Sequence, residues 1–171
     1  ESVRLSSQAP TIHVCSSSEV FGRVPKEKVP IDEDCSFHPA SPYAISKAGT
    51  DLIGRYYGEA YGLKTIITRM FTHTGPRRGD VFAESSFAKQ IALAERGFSS
   101  PVIRVGNLKS MRTFADVRDA VEAYYLLLIS ENVPAGTTFN IGGLFSCEVG
   151  EMLDFLISIS SLRATLRIEV D

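Results

Sequence analysis

The sequence has few cysteines, and none of them has the spacing of a metal site or a disulfide framework. Its three cysteines, Cys15, Cys35 and Cys147, are odd in number and far apart. No Cys-x-x-Cys pair and no cysteine–histidine ligand spacing occurs, so the sequence favours neither a zinc site nor a disulfide scaffold. Reduced thiols are typical of the cytoplasm, which is where we expect this protein.

The chain also lacks a strong charge of either sign and a long apolar run. Its 171 residues carry a formal net charge of −2, which disfavours a surface that binds nucleic acid. No run of about 18 apolar residues occurs, so we expect no membrane span. With 44% hydrophobic and 22% charged residues, the composition is that of an ordinary globular domain.

A glycine-rich phosphate loop is missing as well. No G-x-G-x-x-G or G-x-x-G-x-x-G segment follows a predicted strand. Such a loop places a dinucleotide diphosphate at a helix N-terminus, where backbone N–H groups bind it. We therefore expect these 171 residues alone to bind a dinucleotide poorly.

Predicted strands and helices alternate along the chain, which indicates an α/β fold with a parallel sheet. A strand over 11–15, a long helix over 41–61 and a β-branched strand over 65–70 form a βαβ unit. Ser41 is a good N-cap before Pro42, and Gly62 fits a left-handed C-cap. Residues 20–39 are predicted to be a surface loop. The remaining predicted elements are helices over 84–96, 116–130 and 149–160 and strands over 102–105, 138–141 and 166–170.

Helical spacing also predicts an apolar face on two of these helices. The stripe on the long helix consists of Ile45, Leu52, Ile53, Tyr56, Tyr57 and Ala60. The inward residues of helix 116–130 are Val117, Ala120, Val121, Tyr124, Leu127 and Leu128, and Tyr125 is also expected in the core. Asp116 and Ser146 are the predicted caps of the last two helices, and residues 106–114 are predicted to be a loop.

Two stretches carry the chemistry. Tyr43 and Lys47 lie four residues apart near the start of the long helix, so they share one face. An ammonium beside a phenol stabilises the phenolate, which lets the tyrosine move a proton near neutral pH. Upstream, the strand 11–15 runs into three serines and Glu19, and this strand end can deliver Ser17 and Glu19 to the same site. If strand alternation continues, both side chains point to one side.

The S-S-S-E-V-F-G run followed by S-P-Y-A-I-S-K resembles the extended short-chain dehydrogenase/reductase family of nucleotide-sugar enzymes, the NAD-dependent epimerases/dehydratases. The T-G-P-R-R-G and V-G-N-L-K-S-M-R segments are most similar to its GDP-mannose 4,6-dehydratases. The resemblance implies a Rossmann-like doubly wound parallel sheet, seen here as its second half, with a small C-terminal α/β subdomain. Residues 1–70 would complete the dinucleotide-binding domain, and residues 71–171 would bind substrate around a returning strand.

The resemblance also implies roles for individual residues. Ser17 matches the hydroxyl that binds the reacting sugar oxygen, Tyr43 the general acid/base, and Lys47 the residue that tunes the tyrosine and holds the nicotinamide ribose. Glu19 matches the carboxylate that 4,6-dehydratases use to remove the carbon-5 proton. The 4-epimerases usually have a small or neutral residue at this position, whereas related 4-reductases can also carry glutamate.

Five further residues are implied in binding. His73 would back the nicotinamide, and Arg78 would reach a cofactor phosphate. Arg112 would bind the substrate diphosphate, because a fork of N–H donors suits that group, and Lys89 would assist it. Thr72, also a substrate-binding position, stands where the family usually has an asparagine whose amide contacts the substrate.

The resemblance thus implies an enzyme that converts GDP-mannose to GDP-4-keto-6-deoxymannose with NADP, or with NAD. The alternatives are a GDP-4-keto-6-deoxymannose reductase, a nucleotide-sugar 4-epimerase and, from another class, a non-enzymatic dinucleotide-sensing protein. The chain would be the C-terminal half of a longer enzyme. The expected assembly is a homodimer or homotetramer, with a four-helix bundle that includes the Tyr43 helix.

Overall fold

A computed structural model describes residues 1–170, which divide into two compact units. The first unit combines Glu1–His73 with Ala115–Gly143, and the second combines Thr74–Phe114 with the residues from Leu144 onward. In chain order the elements are α1 (Ser2–Leu5), β1 (Ile12–Cys15), α2 (Pro42–Tyr61), β2 (Thr65–Met70), β3 (His73–Thr74), α3 (Ala83–Glu95), β4 (Val102–Val105), β5 (Met111–Asp116), α4 (Val117–Ile129), β6 (Thr137–Ile141), β7 (Phe145–Glu148), α5 (Val149–Ser158) and β8 (Arg167–Val170). Two 3₁₀ helices, Ser18–Phe21 and Lys26–Lys28, lie in the segment before α2.

The first unit is built on a parallel sheet of order β1-β2-β6. Ile12 lies opposite Thr65, and Ile66 lies opposite Thr137, so both pairings run parallel. All six residues of β2 are buried, as expected for a central parallel strand that is covered on both faces. The predicted α/β class with a parallel sheet is therefore confirmed.

Helix α2 begins and ends as predicted, but its buried face differs from the predicted stripe. Ser41 Oγ accepts a hydrogen bond from the Ala44 N–H at 3.0 Å, and Gly62 adopts the left-handed conformation with φ 64°. The face against the sheet carries small residues and one acid: Ala44, Ala48, Asp51, Gly54 and Gly58. By contrast, four residues of the predicted stripe are more than half exposed: Ile45, Leu52, Ile53 and Tyr56.

Close approach of α2 to the sheet explains this choice of face. A Cβ at Gly54 would lie 3.0 Å from a Val14 methyl group, and one at Gly58 would lie 2.4 Å from the Gly136 nitrogen. Gly58 thus packs against backbone with no room for a Cβ, whereas a Cβ at Gly54 would press on a side chain. The larger apolar residues of α2 are therefore on the outer face of this unit.

Helix α4 shows a similar difference. Asp116 Oδ1 accepts from the Arg118 N–H at 2.8 Å, so the predicted cap is confirmed. Ala120 is buried and Tyr124 is half-buried, but Val121 and Tyr125 are about 60% exposed and were wrongly placed in the core. Among residues 1–170, no helix has the length and apolar character needed to cross a membrane.

The second unit contains a parallel β4–β8 pair and an antiparallel β5–β7 pair. Its core forms from side chains of α3, β4 and α5: Phe87, Ile91, Ile103, Val105, Val149 and Leu153. The predicted loop over 106–114 is wrong in its second half, because Met111–Asp116 is a strand. The predicted cap Ser146 is also wrong: Ser146 lies in β7, while Glu148 caps α5 in a capping box with Glu151.

Candidate active site

The candidate site begins where β1 ends. The Ser16 N–H donates to the Thr68 carbonyl at 2.8 Å, which continues the parallel pairing one residue beyond the strand. Ser17 is buried, and its Oγ accepts a hydrogen bond from the Glu19 N–H at 3.2 Å. Ser17 therefore caps the 3₁₀ helix Ser18–Phe21. The expected alternation of Ser17 and Glu19 along a strand is wrong, because the chain turns helical between them.

Glu19 projects from this 3₁₀ turn into solvent. It is exposed, and its carboxylate has no hydrogen-bond or ion-pair partner among residues 1–170. A carboxylate in this state has all its acceptor positions available. The geometry thus leaves Glu19 open to a ligand while Ser17 stays fixed beneath the same turn.

The 3₁₀ turn is anchored from its inner side. Val20 and Phe21 are buried and pack with Ala48 of α2, with Phe37 and Phe71 against the same cluster. Gly22 ends the turn at φ 61°, and a Cβ there would lie 1.9 Å from the His38 carbonyl oxygen. The position of Glu19 therefore depends on a glycine and on apolar contacts that also involve α2.

Tyr43 and Lys47 lie in the first turns of α2. The Tyr43 side chain is 53% exposed. The Lys47 ammonium lies 5.7 Å from the centroid of the Tyr43 ring. Lys47 Nζ also donates to the Cys15 carbonyl at 3.0 Å. Lys47 thus connects the start of α2 to Cys15, the last residue of β1, which lies two residues before Ser17. An ammonium has three donors, so others remain for a ligand.

A polar cluster that the sequence analysis did not single out connects β1, β2 and α4. His13 Nε2 lies 2.7 Å from Thr68 Oγ1, and its ring lies 4.5 Å from the ring of Tyr124. Partial burial lowers the pKa of His13 and raises the pKa of Tyr124. The sequence offered one sign of this cluster, a histidine within an otherwise apolar strand. Such a histidine is as compatible with a core position as with a functional site.

Thr72 and His73 lie two and three residues beyond the end of β2. The Thr72 carbonyl accepts from the Ala115 N–H at 3.0 Å. His73 Nδ1 lies 3.2 Å from the Phe71 carbonyl, which fixes the half-buried ring through one nitrogen. Both residues thus lie at the carboxyl end of a central strand, the position at which open α/β sheets bind ligands.

The three basic residues predicted to bind phosphate lie in the second unit and differ in their contacts. Arg78 forms an ion pair with Glu84, and its guanidinium lies 3.7 Å from the Phe82 ring centroid. Lys89 pairs with Asp80 and thereby lowers the pKa of that carboxyl.

Arg112 differs from the other two. It is exposed, and its Nη1 donates to the Met111 carbonyl at 2.8 Å. Of the three, Arg112 therefore has the most accessible donors.

The family follows from a comparison that covers almost the whole chain. The family model described as GDP-mannose 4,6 dehydratase matches residues 1–165. The chain belongs to the GDP-mannose 4,6-dehydratase family. This confirms the resemblance that the Ser17–Glu19 and Tyr43–Lys47 motifs indicated.

Relatives within and around the GDP-mannose 4,6-dehydratase family agree. The chain is 32% identical over 147 residues to a GDP-6-deoxy-D-mannose reductase of Pseudomonas aeruginosa, covering 86% of this chain and 48% of the relative. It is 32% identical over 155 residues to GDP-mannose 4,6 dehydratase 1 of Arabidopsis thaliana, covering 91% and 41%. The chain therefore spans about half the length of these relatives.

Solved structures confirm the fold class. The structure of RMD from Pseudomonas aeruginosa, complexed with NADPH, superposes with a TM-score of 0.89 at 31% identity, covering 96% of this chain and 54% of that one. A dTDP-glucose 4,6-dehydratase from Bacillus anthracis, in complex with NAD, has a TM-score of 0.78 at 23% identity and covers 94% and 50%. The Rossmann-like α/β class is thus confirmed, while the roles of the individual site residues stay predictions.

Proposed function

We propose that this chain supplies the acid/base residues and part of the substrate-binding region of an NAD(P)-dependent nucleotide-sugar 4,6-dehydratase. The proposed substrate is GDP-mannose, and the proposed product is GDP-4-keto-6-deoxymannose. The observation that carries the proposal is the Glu19 carboxylate, which is exposed and unpaired within residues 1–170 and lies in the 3₁₀ turn that the buried Ser17 caps. An epimerase has no need of a second base at this place.

The residues at the start of α2 fit the nicotinamide ribose of NAD(P). Lys47 uses one donor on the Cys15 carbonyl, and its remaining donors suit ribose hydroxyls. Tyr43, next to it and half-exposed, can reach a sugar placed over the strand end. Bound there, NAD(P) would supply the hydride acceptor for carbon 4 of the sugar and the hydride donor for carbon 6.

Tyr43, Lys47 and Ser17 act on carbon 4. Tyr43 accepts the proton of the carbon-4 hydroxyl, and Lys47 stabilises the phenolate that makes this possible. Ser17 hydrogen-bonds the same oxygen and holds it in place. Because its own Oγ already accepts from Glu19 N, its hydroxyl proton is free to be donated to the sugar oxygen.

Glu19 acts on carbon 5. Once carbon 4 is a ketone, the neighbouring C–H is acidified, and Glu19 removes that proton. The electron pair of the C–H bond forms the carbon 5–carbon 6 double bond, and the carbon-6 hydroxyl leaves. This hydroxyl and the proton together make up the water that is lost. Carbon 5 regains a proton when carbon 6 is reduced, and the proton that Tyr43 took from the carbon-4 hydroxyl balances that gain.

For the remaining residues we propose binding roles. Arg112, with its exposed guanidinium, binds the substrate diphosphate, and Lys89 assists after release from Asp80. Thr72 offers the substrate a hydroxyl in place of an amide. His73 lies against the nicotinamide, and Arg78 reaches a cofactor phosphate only if it leaves Glu84, so we expect its contribution to be smaller than that of Lys47.

A second candidate function is the reduction of GDP-4-keto-6-deoxymannose. It is favoured by the similarity to a protein named GDP-6-deoxy-D-mannose reductase. A reductase uses the same tyrosine and lysine but consumes NADPH in equal amount with its substrate. A dehydratase regenerates its cofactor in every cycle, so the two reactions differ in their need for reduced cofactor.

The experiment is to incubate the full-length enzyme with GDP-mannose and a catalytic amount of NADP, and to follow the nucleotide sugar by mass spectrometry. The proposal predicts loss of one water per sugar over many turnovers, with little activity in Tyr43→Phe. If GDP-mannose stays intact while NADPH is oxidised in the presence of GDP-4-keto-6-deoxymannose, the reductase function replaces the dehydratase.

A further inference from the structure

The first unit contains an ion pair with neither partner accessible to solvent. Arg69 of β2 and Asp51 of α2 are both 0% exposed. Arg69 Nε donates to Asp51 Oδ2 at 2.8 Å, and Nη2 donates to Oδ1 at 3.1 Å. This two-point contact is the arrangement in which a guanidinium binds a carboxylate most specifically. It joins the helix that carries Tyr43 and Lys47 to the central strand of the sheet.

The same guanidinium has further contacts outside α2. Its Nη1 donates to the Glu33 carbonyl at 2.7 Å. Its centre lies 4.6 Å from the Phe37 ring centroid and 5.3 Å from that of Phe21. Phe21 is the last residue of the 3₁₀ helix that carries Glu19. Arg69 therefore contacts α2, the segment before it and the turn of the proposed base at once.

The segment around Glu33 is attached to the sheet as well. The Glu33 carboxylate accepts from the Asn140 backbone N–H at 2.7 Å, and Asn140 Nδ2 donates to the Ile31 carbonyl at 3.1 Å. Residues 31–33 are thus hydrogen-bonded both to Asn140 of β6 and to the Arg69 guanidinium. The predicted surface loop over 20–39 is held from beneath by buried groups.

We infer that the Arg69–Asp51 pair is a positioning device that sets where Glu19 stands relative to Tyr43, which makes Arg69 and Asp51 positioning residues for the elimination step. This inference rests on the proposed function for its catalytic part. A buried ion pair is seldom more stabilising than well-packed apolar residues of the same volume. An apolar side chain could fill the space at position 69, but it could not bond a carboxylate and a carbonyl in two directions.

The two steps of the proposed reaction should respond differently to loss of the pair. Tyr43 and Lys47 keep their places through the Ser41 cap and the Lys47–Cys15 bond. The position of Glu19 depends on the packing of Phe21 in the same 3₁₀ helix. Without Arg69, the Phe21 ring loses its contact with the guanidinium. A shift of about 1 Å in a reacting group can cost about 100-fold in rate. Carbon-4 oxidation should therefore continue when carbon-5 proton removal fails.

The test uses the double variant Asp51→Leu with Arg69→Met in the full-length enzyme. Replacing both charges avoids leaving one buried charge alone, which would endanger folding. The matched control is Arg104→Gln with Glu169→Gln, which removes an exposed ion pair of the second unit. Backbone hydrogen exchange of residues 18–37 and 42–61 is measured by mass spectrometry. Single-turnover formation of reduced nicotinamide and loss of water report the two chemical steps.

We expect faster hydrogen exchange over 18–37, unchanged exchange over 42–61, and loss of water slowed about 100-fold while reduced nicotinamide forms within a few-fold of the normal rate. The control should match the unmodified enzyme. Unchanged exchange over 18–37, or equal slowing of both steps, would overturn the inference.

Two further outcomes are distinguishable. If the unmodified enzyme dehydrates no nucleotide sugar, the proposed function fails, and the hydrogen exchange over 18–37 alone decides whether the pair holds this segment. If the double variant does not fold, Arg69→Lys replaces it, because lysine keeps the charge but cannot reproduce the planar two-point bond to Asp51 together with the bond to the Glu33 carbonyl. Arg69→Lys should then show smaller changes of the same kind: faster exchange over 18–37, and water loss slowed more than formation of reduced nicotinamide. The absence of these changes overturns the inference.

Discussion

The ammonium of Lys47 lies 3.0 Å from the carbonyl oxygen of Cys15. This bond joins the first turns of α2 to the last residue of β1, and it places a positive charge between Tyr43 and the serines that follow the strand. Lys47 therefore makes two contacts in the proposed site, since its ammonium lies beside the Tyr43 ring and bonds the strand end before Ser17. A neutral side chain at this position would remove both.

We predict that Lys47→Met lowers the turnover of the full-length enzyme by about 100-fold or more, the range expected when the partner of an acid/base residue is lost. Lys64→Met is the matched control, because Lys64 Nζ also donates to a backbone carbonyl, that of Ser130 at 2.9 Å. Steady-state rates at saturating substrate provide the measurement. Equal rate losses in the two variants would mean that the lysine bond to the backbone is only structural.

Gly22 sets the end of the turn that carries Glu19. Gly22→Ala places a side chain at φ 61° and 1.9 Å from the His38 carbonyl oxygen. We expect it to lower the free energy of unfolding by about 1–3 kcal/mol for a backbone at φ 61° and ψ −131°, a region nearly confined to glycine, and by about 1–3 kcal/mol more for the overlap. Gly62→Ala has a similar φ, 64°, but lies in the left-handed helical region with nothing within 4 Å, so it should show only a left-handed cost of about 1–2 kcal/mol. Denaturant titration measures both, and equal costs would contradict the steric argument.

His13 makes the stability of the first unit depend on pH. Burial lowers its pKa below the ordinary value, so the unfolded chain binds the proton more readily than the folded one. Stability is therefore fully present above the unfolded pKa, about 6.5, and decreases as the pH falls below it. His13→Gln should flatten this decrease in denaturant titrations at about pH 7.5 and pH 5.5. The same decrease in both proteins would show that other groups cause it.

The sequence predicts the strand β2 to the residue and both caps of α2, because these features depend on local patterns. A β-branched run of six residues is a buried strand, and a serine before a proline starts a helix. The predicted stripe on α2 was wrong for a physical reason. Apolar spacing identifies a face, but it cannot show that the helix lies so close to the sheet that its buried face carries alanine, glycine and one ion-paired aspartate in place of large apolar residues.

The candidate site was predictable in its residues and less so in its geometry. Ser17, Glu19, Tyr43 and Lys47 were recognisable from two short motifs. The 3₁₀ turn between Ser17 and Glu19 was not, because it depends on the packing of Phe21 and on the contact of Gly22 with a distant segment.

Two contacts that support the site lie beyond local patterns altogether. Arg69 and Asp51 find each other only when α2 is folded onto β2, eighteen positions away. The β5–β7 pairing likewise joins segments that are more than thirty positions apart. Neither contact leaves a spacing signal in the sequence.

We propose that Glu19 is the base that distinguishes the full-length enzyme as a dehydratase. Glu19→Gln keeps the size and the hydrogen bonding of the side chain but removes its basicity. In the full-length enzyme with GDP-mannose, we predict that deuterium exchange at carbon 5 and loss of water slow by about 100- to 10,000-fold. Reduced nicotinamide should still form in a single turnover.

Glu27→Gln, a change to an exposed acid elsewhere in the same segment, is the matched control and should behave as the unmodified enzyme. The decisive measurement is the rate of water loss in Glu19→Gln, followed by product mass spectrometry in a single turnover. Accumulation of the 4-keto sugar with intact carbon-6 hydroxyl is the predicted result. Dehydration by Glu19→Gln at the unmodified rate would show that Glu19 is not the base.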